Sequence, residues 1–397
     1  MKNMKKVADC VFVALFAVFL LGIFLLTTQR RDKTYSYNEN RNLAERPELT
    51  AEALWDGSYF DQWDKFWLDR AAGRSTALKL DTYWQWKVLK RPVIHNIVMT
   101  DEVLLPYWKD TYFEPQKPID ERVEEVADEL AALDQHIQDN GGRFYYVGMP
   151  SQTTYFKESY PDFLYNRDEM LTQIRLLLRQ ALADRDVNFL DMAEAFNQAG
   201  NPEEFYWKTD HHANLDGGLF VYQHIMDRIN EDTGLGLRVL EEEDLVRVTL
   251  EEPFSGSRNR QLYYVVPNDD KLTYAELKEP IPFERYNRGE KSWPIINVLP
   301  NEGQMASYSV FMGGDMPETS IKTNRPELPK LLIFGDSYSN VLETLLYPSF
   351  DEMRTLDLRY YDDKTLWEYI EEYQPDIVID VRDDSEFLSD SANNVFR

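Results

Sequence analysis

Two short segments of this chain hold residue types that can act together. One is Leu331-Leu-Ile-Phe-Gly-Asp-Ser337-Tyr-Ser-Asn340, in which four apolar residues lead to a glycine, an acid and a serine. The pattern reads as a buried strand turning sharply into a helix, because glycine permits the tight turn. Ser337 would then sit at a helix N-terminus. Free backbone N–H groups and the positive end of the helix dipole can hold a developing oxyanion there. A serine nucleophile needs that arrangement plus a base. Asp and Ser are also ordinary N-cap residues, so taken alone the segment reads as structural too.

The other segment is Phe205-Tyr-Trp-Lys-Thr-Asp210-His211-His212-Ala-Asn214, just before a helical pattern. In an extended chain, residues two apart point to the same side, so Asp210 and His212 project together while His211 points away. A carboxylate beside an imidazole fixes its tautomer and stabilises its protonated form, which is what a serine requires of its base. Two alternatives stand beside this reading: a set of capping polar residues, or a metal site using Asp210, His211 and His212. The metal site would need further ligands, and only His95, His136 and His224 remain among the histidines. No metal or organic cofactor is expected.

These segments need a frame. Ile119, Val123, Val126, Leu130, Leu133 and Ile137 recur at steps of four and three, which predicts an amphipathic helix ending at Gly141-Gly142. A buried strand follows at 143–149, a helix at about 168–183, a strand at 187–190 and a helix at about 213–230. Residues 245–250 and 261–266 are β-rich, which suggests strands in an inserted section spanning about 240–315, with 307–312 as a further candidate. The alternation then resumes: strand 331–334, helix 338–346, strand 355–359, helix 365–373 and strand 376–381. Strands alternating with helices imply a mostly parallel sheet covered on both faces, with its site at the carboxyl ends of the strands. Before this frame, aromatic residues crowd positions 55–108, and a helical region is expected at about 55–90. A linker precedes it from residue 29.

The stretch from Val7 to Thr28 is nearly all apolar. As a helix it would span roughly 33 Å, about the thickness of a bilayer's hydrocarbon core. It lacks a small-x-small cleavage site, so an uncleaved signal anchor is expected, with a cleaved secretory signal as the alternative. Lys2, Lys5 and Lys6 precede it and Arg30, Arg31 and Lys33 follow, so the positive-inside rule is nearly balanced. The expectation is a short tail (1–6) inside and the large domain outside. Cys10 lies within the apolar run, and it is the only cysteine, so no internal disulfide can form. The 397 residues carry 43 Lys+Arg against 70 Asp+Glu, a net charge of −27. That excess argues against nucleic-acid binding, which needs a basic surface.

Asp210-His211-His212, Gly335-Asp336-Ser337-Tyr338 and Asp357-Leu-Arg359-Tyr-Tyr361 resemble the DHHW family of bacterial membrane-anchored proteins. That family is related to the alginate O-acetylation proteins of the SGNH/GDSL hydrolase superfamily. Glu39-Asn40-Arg41 with Leu43 and Pro47 resembles the stretch after the anchor in these proteins. The likeness extends to about Val381. Ala213 stands where the family name expects Trp, and the Gly-Asn-Asp block of ordinary SGNH esterases is not evident.

The resemblance implies a three-layer α/β/α fold over residues 116–397. It also implies an extracytoplasmic serine O-acetyltransferase acting on a cell-envelope or secreted polysaccharide, with Ser337 as nucleophile, His212 as base and Asp210 as its holder. A membrane O-acyltransferase supplying acyl groups is implied as partner. The stretch Phe254-Ser-Gly256-Ser257 suggests Gly256 as a second oxyanion donor, with a β-turn as the alternative. Arg359 and Arg382 are candidates for an anionic substrate, or for pairing with local acids. Tyr206, Trp207 and Tyr338 are candidates for stacking on sugar rings, or for core packing. Two other functions remain open: a carbohydrate esterase with the same triad, and a catalytically silent envelope-binding or assembly protein.

Overall fold

The computed structural model describes residues 2–29, 33–36, 39, 41–107, 117–254, 256–298, 305–389 and 396. Arg30, Arg31, Asn40, Trp108 and Ser255, singled out above, lie outside these. The chain divides into two compact units, Met1–His95 with Asn259–Pro267, and Asn96–Arg258 with Asn268–Arg397.

In the first unit, Lys2–Thr28 is one helix. Its Lys5–Thr28 part is long and apolar enough to cross a membrane. Helices Ala51–Trp55, Ser58–Arg70 and Arg74–Tyr83 follow, and a π-helical turn Trp84–Val88 ends the series. They occupy the region expected to be helical. Trp63 stacks on Trp67 with centroids 5.7 Å apart, and Phe66 meets both edge-on. Arg41 reaches Asp69 at 2.6 Å.

The second unit holds the alternating frame. The predicted periodic helix is α1 (Ile119–Asp139), whose Val123, Val126, Leu130, Leu133 and Ile137 are all buried. Next come β1 (Arg143–Met149), α2 (Asp168–Ala183), β2 (Phe189–Asp191) and α3 (Leu215–Thr233). After a stretch that holds a separate strand pair follow β3 (Glu284–Asn287), β4 (Glu290–Lys291) and β5 (Glu318–Lys322). The chain closes with β6 (Leu331–Gly335), α4 (Ser339–Leu346), β7 (Glu352–Leu356), α5 (Leu366–Tyr373) and β8 (Ile377–Asp383).

These eight strands form one sheet in the order β4-β3-β5-β7-β6-β8-β1-β2. The run from β7 to β2 is parallel, and β5, β3 and β4 extend it antiparallel. Successive residues of a strand face opposite sides, and two cores result. Ile333, Val381, Tyr145 and Val147 pack with α3 and α4 on one face. Leu332, Phe334, Val378, Phe144 and Tyr146 pack with α1, α2 and α5 on the other. The fold is therefore α/β, with helices on both sides of a mixed sheet.

The middle of the chain differs from expectation. Leu245–Thr249 is a strand, and it pairs with Thr273–Leu277. Residues 261–266 are not a strand: the helix Ser257–Gln261 ends there, and Tyr263 and Tyr264 take left-handed φ values of 56° and 57°, which a strand cannot contain. Nor is 307–312 a strand, since Tyr308–Val310 forms a 3-10 turn. Strands β3, β4 and β5 join the main sheet instead of forming a separate insertion. The larger unit begins at Asn96, ahead of the boundary expected near 116.

Candidate active site

Ser337 follows β6, a central strand, at its carboxyl end. The glycine before the turn is fixed by crowding: a Cβ on Gly335 would lie 2.5 Å from the Val381 carbonyl oxygen of the neighbouring β8. Asp336 then accepts the Tyr338 N–H on Oδ1 at 3.0 Å, which helps start α4. Burial pushes the Asp336 carboxyl above its usual range, against the attraction of Arg382. Ser337 itself is half-buried.

The 205–214 segment runs into α3, whose N-cap Asn214 accepts the Asp216 and Gly217 N–H groups. Its Asp210 and His212 are both buried. His212 Nδ1 lies 2.6 Å from Asp210 Oδ1, and His212 Nε2 lies 2.7 Å from Ser337 Oγ. Asp210 Oδ1 also accepts the His212 backbone N–H at 3.1 Å, and Oδ2 accepts the Ser257 N–H at 2.6 Å. Burial alone would favour the neutral acid. The attraction of His212, their hydrogen bond and the Ser257 N–H outweigh it, and they hold the carboxyl well below the usual carboxylate range. The three side chains thus form a continuous Asp-His-Ser line.

His211 does not point away as expected: its ring centroid lies 3.7 Å from that of His212, and its Nδ1 lies 2.7 Å from Ser257 Oγ and 3.6 Å from Asp210 Oδ1. Asp210, His211 and His212 can bring ligand atoms within 4.8 Å of one another. Both ring nitrogens of His212 already face protein partners, so an ion there would have to displace Asp210 or Ser337.

The remaining sequence candidates fall differently. The Gly256 N–H donates to Thr209 Oγ1 at 3.0 Å, so it is turned away from an oxyanion. Its need for glycine is steric, because a Cβ would meet Thr209 O at 2.3 Å and Asp210 Cβ at 2.4 Å. Tyr206, Trp207 and Tyr338 are buried, which fits core packing. Tyr206 and Tyr338 donate their hydroxyls to the carbonyls of Pro150 and His211, and Trp207 Nε1 donates to Lys271 O. The Arg359 guanidinium is held by Asp357 and Asp315, each at 2.7 Å. Arg382 is buried beside Asp380, at 3.1 Å.

Three residues near the line went unread in the sequence. Gln152, fully buried at the carboxyl end of β1, donates through Nε2 to Asp210 O at 2.5 Å and Trp207 O at 3.3 Å. Its Oε1 accepts Arg258 Nε at 2.6 Å, while the Arg258 backbone N–H donates to Thr209 O at 3.1 Å. Gln152 therefore pins the dyad segment to the sheet. Its position after β1, where such sheets place their sites, was the available signal. Tyr308 lies flat against the His212 ring, with centroids 3.7 Å apart and planes 2° apart. No sequence pattern marks it.

Residues 107–283 match the family model described as SGNH hydrolase-like domain, acetyltransferase AlgX. The match contains Asp210 and His212 and ends before Ser337. No curated protein matches the chain. Among solved structures, Bacillus cereus PatB1 is 25% identical over 76% of this chain and 99% of its own, with a TM-score of 0.64. The same protein with a sulfonyl adduct is 22% identical, covering 76% and 97%, with a TM-score of 0.61. A DHHW family protein from Eubacterium siraeum is 19% identical, covering 76% and 95%, with a TM-score of 0.55. Residues 107–283 are thus similar to the SGNH hydrolase-like domain of acetyltransferase AlgX, and the chain shares its fold with PatB1 and a DHHW family protein.

Proposed function

We propose that this protein is a serine O-acyltransferase that moves an acyl group, most simply acetyl, onto a hydroxyl of a cell-envelope or secreted polysaccharide. The observation that carries the reading is the line from Asp210 through His212 to Ser337, with contacts of 2.6 and 2.7 Å. The likeness of residues 107–283 to an acetyltransferase family supports the choice of acyl group. The apolar helix Lys5–Thr28 supports an anchored protein whose larger unit lies outside the membrane.

In this reading Ser337 Oγ attacks the acyl carbonyl while His212 Nε2 takes its proton. Asp210 holds the Nδ1–H and balances the imidazolium. The Ser337 backbone N–H at the start of α4 stabilises the oxyanion. The donor's leaving group departs with the proton from His212, leaving an acyl-serine. A sugar hydroxyl then gives its proton to His212 and attacks the acyl carbon; the acyl–Oγ bond breaks, and His212 returns the proton to Ser337 Oγ. The donor would be acylated by a membrane O-acyltransferase partner.

The test uses the full chain in detergent, an activated acetyl ester and an oligosaccharide, followed by mass spectrometry. Acetylated sugar formed by wild type and not by Ser337→Ala supports the proposal. Acetate release with no modified sugar would assign an esterase. Sugar acetylation undiminished in Ser337→Ala would refute the serine mechanism.

A further inference from the structure

We infer that Tyr308 is a positioning residue for the proton relay: its ring fixes the plane of the His212 imidazole and stabilises that imidazole when it carries a proton. The inference rests on the triad reading above.

The geometry is specific. The two rings are nearly coplanar in orientation, 2° apart, and their centroids are 3.7 Å apart. Tyr308 is itself buried, within the 3-10 turn Tyr308–Val310. Trp207 meets its ring edge-on at 5.9 Å, and Phe311 meets it at 5.3 Å. It is therefore a fixed slab and not a mobile side chain.

That slab answers a requirement of the relay. A ring nitrogen bonds best along the imidazole plane, so both His212 bonds, to Asp210 and to Ser337, depend on how the ring is turned. Rotation about the Cβ–Cγ bond would break both together, and a flat wall on one face opposes that rotation. The aromatic face also carries partial negative charge and attracts a cation placed against it, more strongly where water is excluded. His212 becomes a cation each time it takes the proton of Ser337 or of the acceptor. Tyr308 would then favour the charged, reacting state over the resting one.

Other groups face the same imidazole. Asp210 contacts Nδ1, and Ser337 contacts Nε2. The His211 ring lies 3.7 Å away at a 37° tilt, and Tyr338 lies 5.4 Å away. The half-buried Asp336 carboxyl also faces the charge of His212. Asp210 and Asp336 favour the imidazolium, and a protonated His211 opposes it. Tyr308 acts through its ring alone, so phenylalanine should replace it.

The test compares Tyr308→Leu, Tyr308→Phe and Tyr308→pentafluorophenylalanine in the full chain. The last keeps the ring's shape but reverses the charge of its face. Two readouts are taken: the His212 pKa by NMR on histidine-labelled protein, and the pH profile of kcat/KM. The His212 signal is identified by its loss in His212→Asn. Tyr308→Leu should lower the His212 pKa, and with it the acid limb, by about half a unit to one unit. It should cut kcat about tenfold with little change in KM. The fluorinated ring should lower the pKa at least as far, and Tyr308→Phe should restore wild-type values. An unmoved pKa with the fluorinated ring, or Phe behaving like Leu, would overturn the inference. Activity surviving in Ser337→Ala would instead sink the relay itself. The NMR readout does not depend on activity, so the two failures are distinguishable.

Discussion

His212 Nε2 lies 2.7 Å from Ser337 Oγ, although 125 positions separate the two residues in the chain. The sheet makes this possible. Ser337 stands at the carboxyl end of β6, and β6 pairs with β8, which pairs with β1. Gln152, just past β1, grips the carbonyl of Asp210 and brings the dyad across to the serine. The hydroxyl comes from the turn after β6, and the imidazole and carboxylate come together from the segment that Gln152 holds.

The carboxylate comes first. Asp210→Asn should leave the fold intact and reduce acyl transfer by about 10²- to 10⁴-fold, because an amide favours the wrong imidazole tautomer. Initial rates with a chromogenic acetyl ester measure this. A loss below threefold would remove Asp210 from the relay.

Gly256 tests packing behind the dyad. A methyl group there would sit 2.3 to 2.4 Å from Thr209 O and Asp210. Gly256→Ala should therefore displace the segment and lower activity at least tenfold. The melting temperature should fall as well, by several degrees. Wild-type activity in this variant would show that the segment yields without consequence.

Glu343 makes stability depend on pH. It lies buried on α4, accepts the Ser339 hydroxyl at 2.6 Å, and is pushed up to about 7 by burial, against the attraction of Arg285. Its folded-state pKa exceeds the ordinary 4.5, so the folded protein holds a proton that the unfolded chain releases. The stabilisation is fully present below about pH 4.5 and is lost as pH rises to about 7. Urea midpoints should accordingly fall between pH 5 and pH 8. Glu343→Gln should reduce that fall by up to about 3 kcal/mol. Parallel pH dependence in the variant and wild type would contradict this.

The apolar helix predicts where the protein resides. Full-length chain should sediment with membranes and resist extraction by carbonate. Deleting residues 1–28 should move it to the soluble fraction, with ester turnover preserved. Carbonate-extractable full-length protein would count against a spanning helix.

The sequence was most legible where one local rule acted alone. The four-and-three spacing from Ile119 to Ile137 marked α1, and the apolar run into Gly335 marked β6 and its turn. Asp210 and His212 were readable from their types and spacing, although the segment is a bend closed by the Tyr206–Ala213 bridge and not the extended chain expected. Contacts between distant segments were not readable. Nothing local to Tyr308 announces that it lies on an imidazole, and Gly256 looked like an oxyanion donor when its role is to let Thr209 and Asp210 approach. The aromatic stretch at 261–266 has strand composition, yet left-handed Tyr263 and Tyr264 turn it instead. Tyr206, Trp207 and Tyr338 sat beside the motifs and suggested a sugar platform. Burial in the core claims them, because large aromatic rings gain most from leaving water.

The central claim is that Ser337 is an activated nucleophile, and covalent trapping tests it most directly. The full chain is treated with a sulfonyl fluoride, and the modified peptide is mapped by mass spectrometry. One adduct on Ser337 is predicted, slowed at least a hundredfold in His212→Ala and absent in Ser337→Ala. No adduct, or one that forms equally well without His212, would contradict the account.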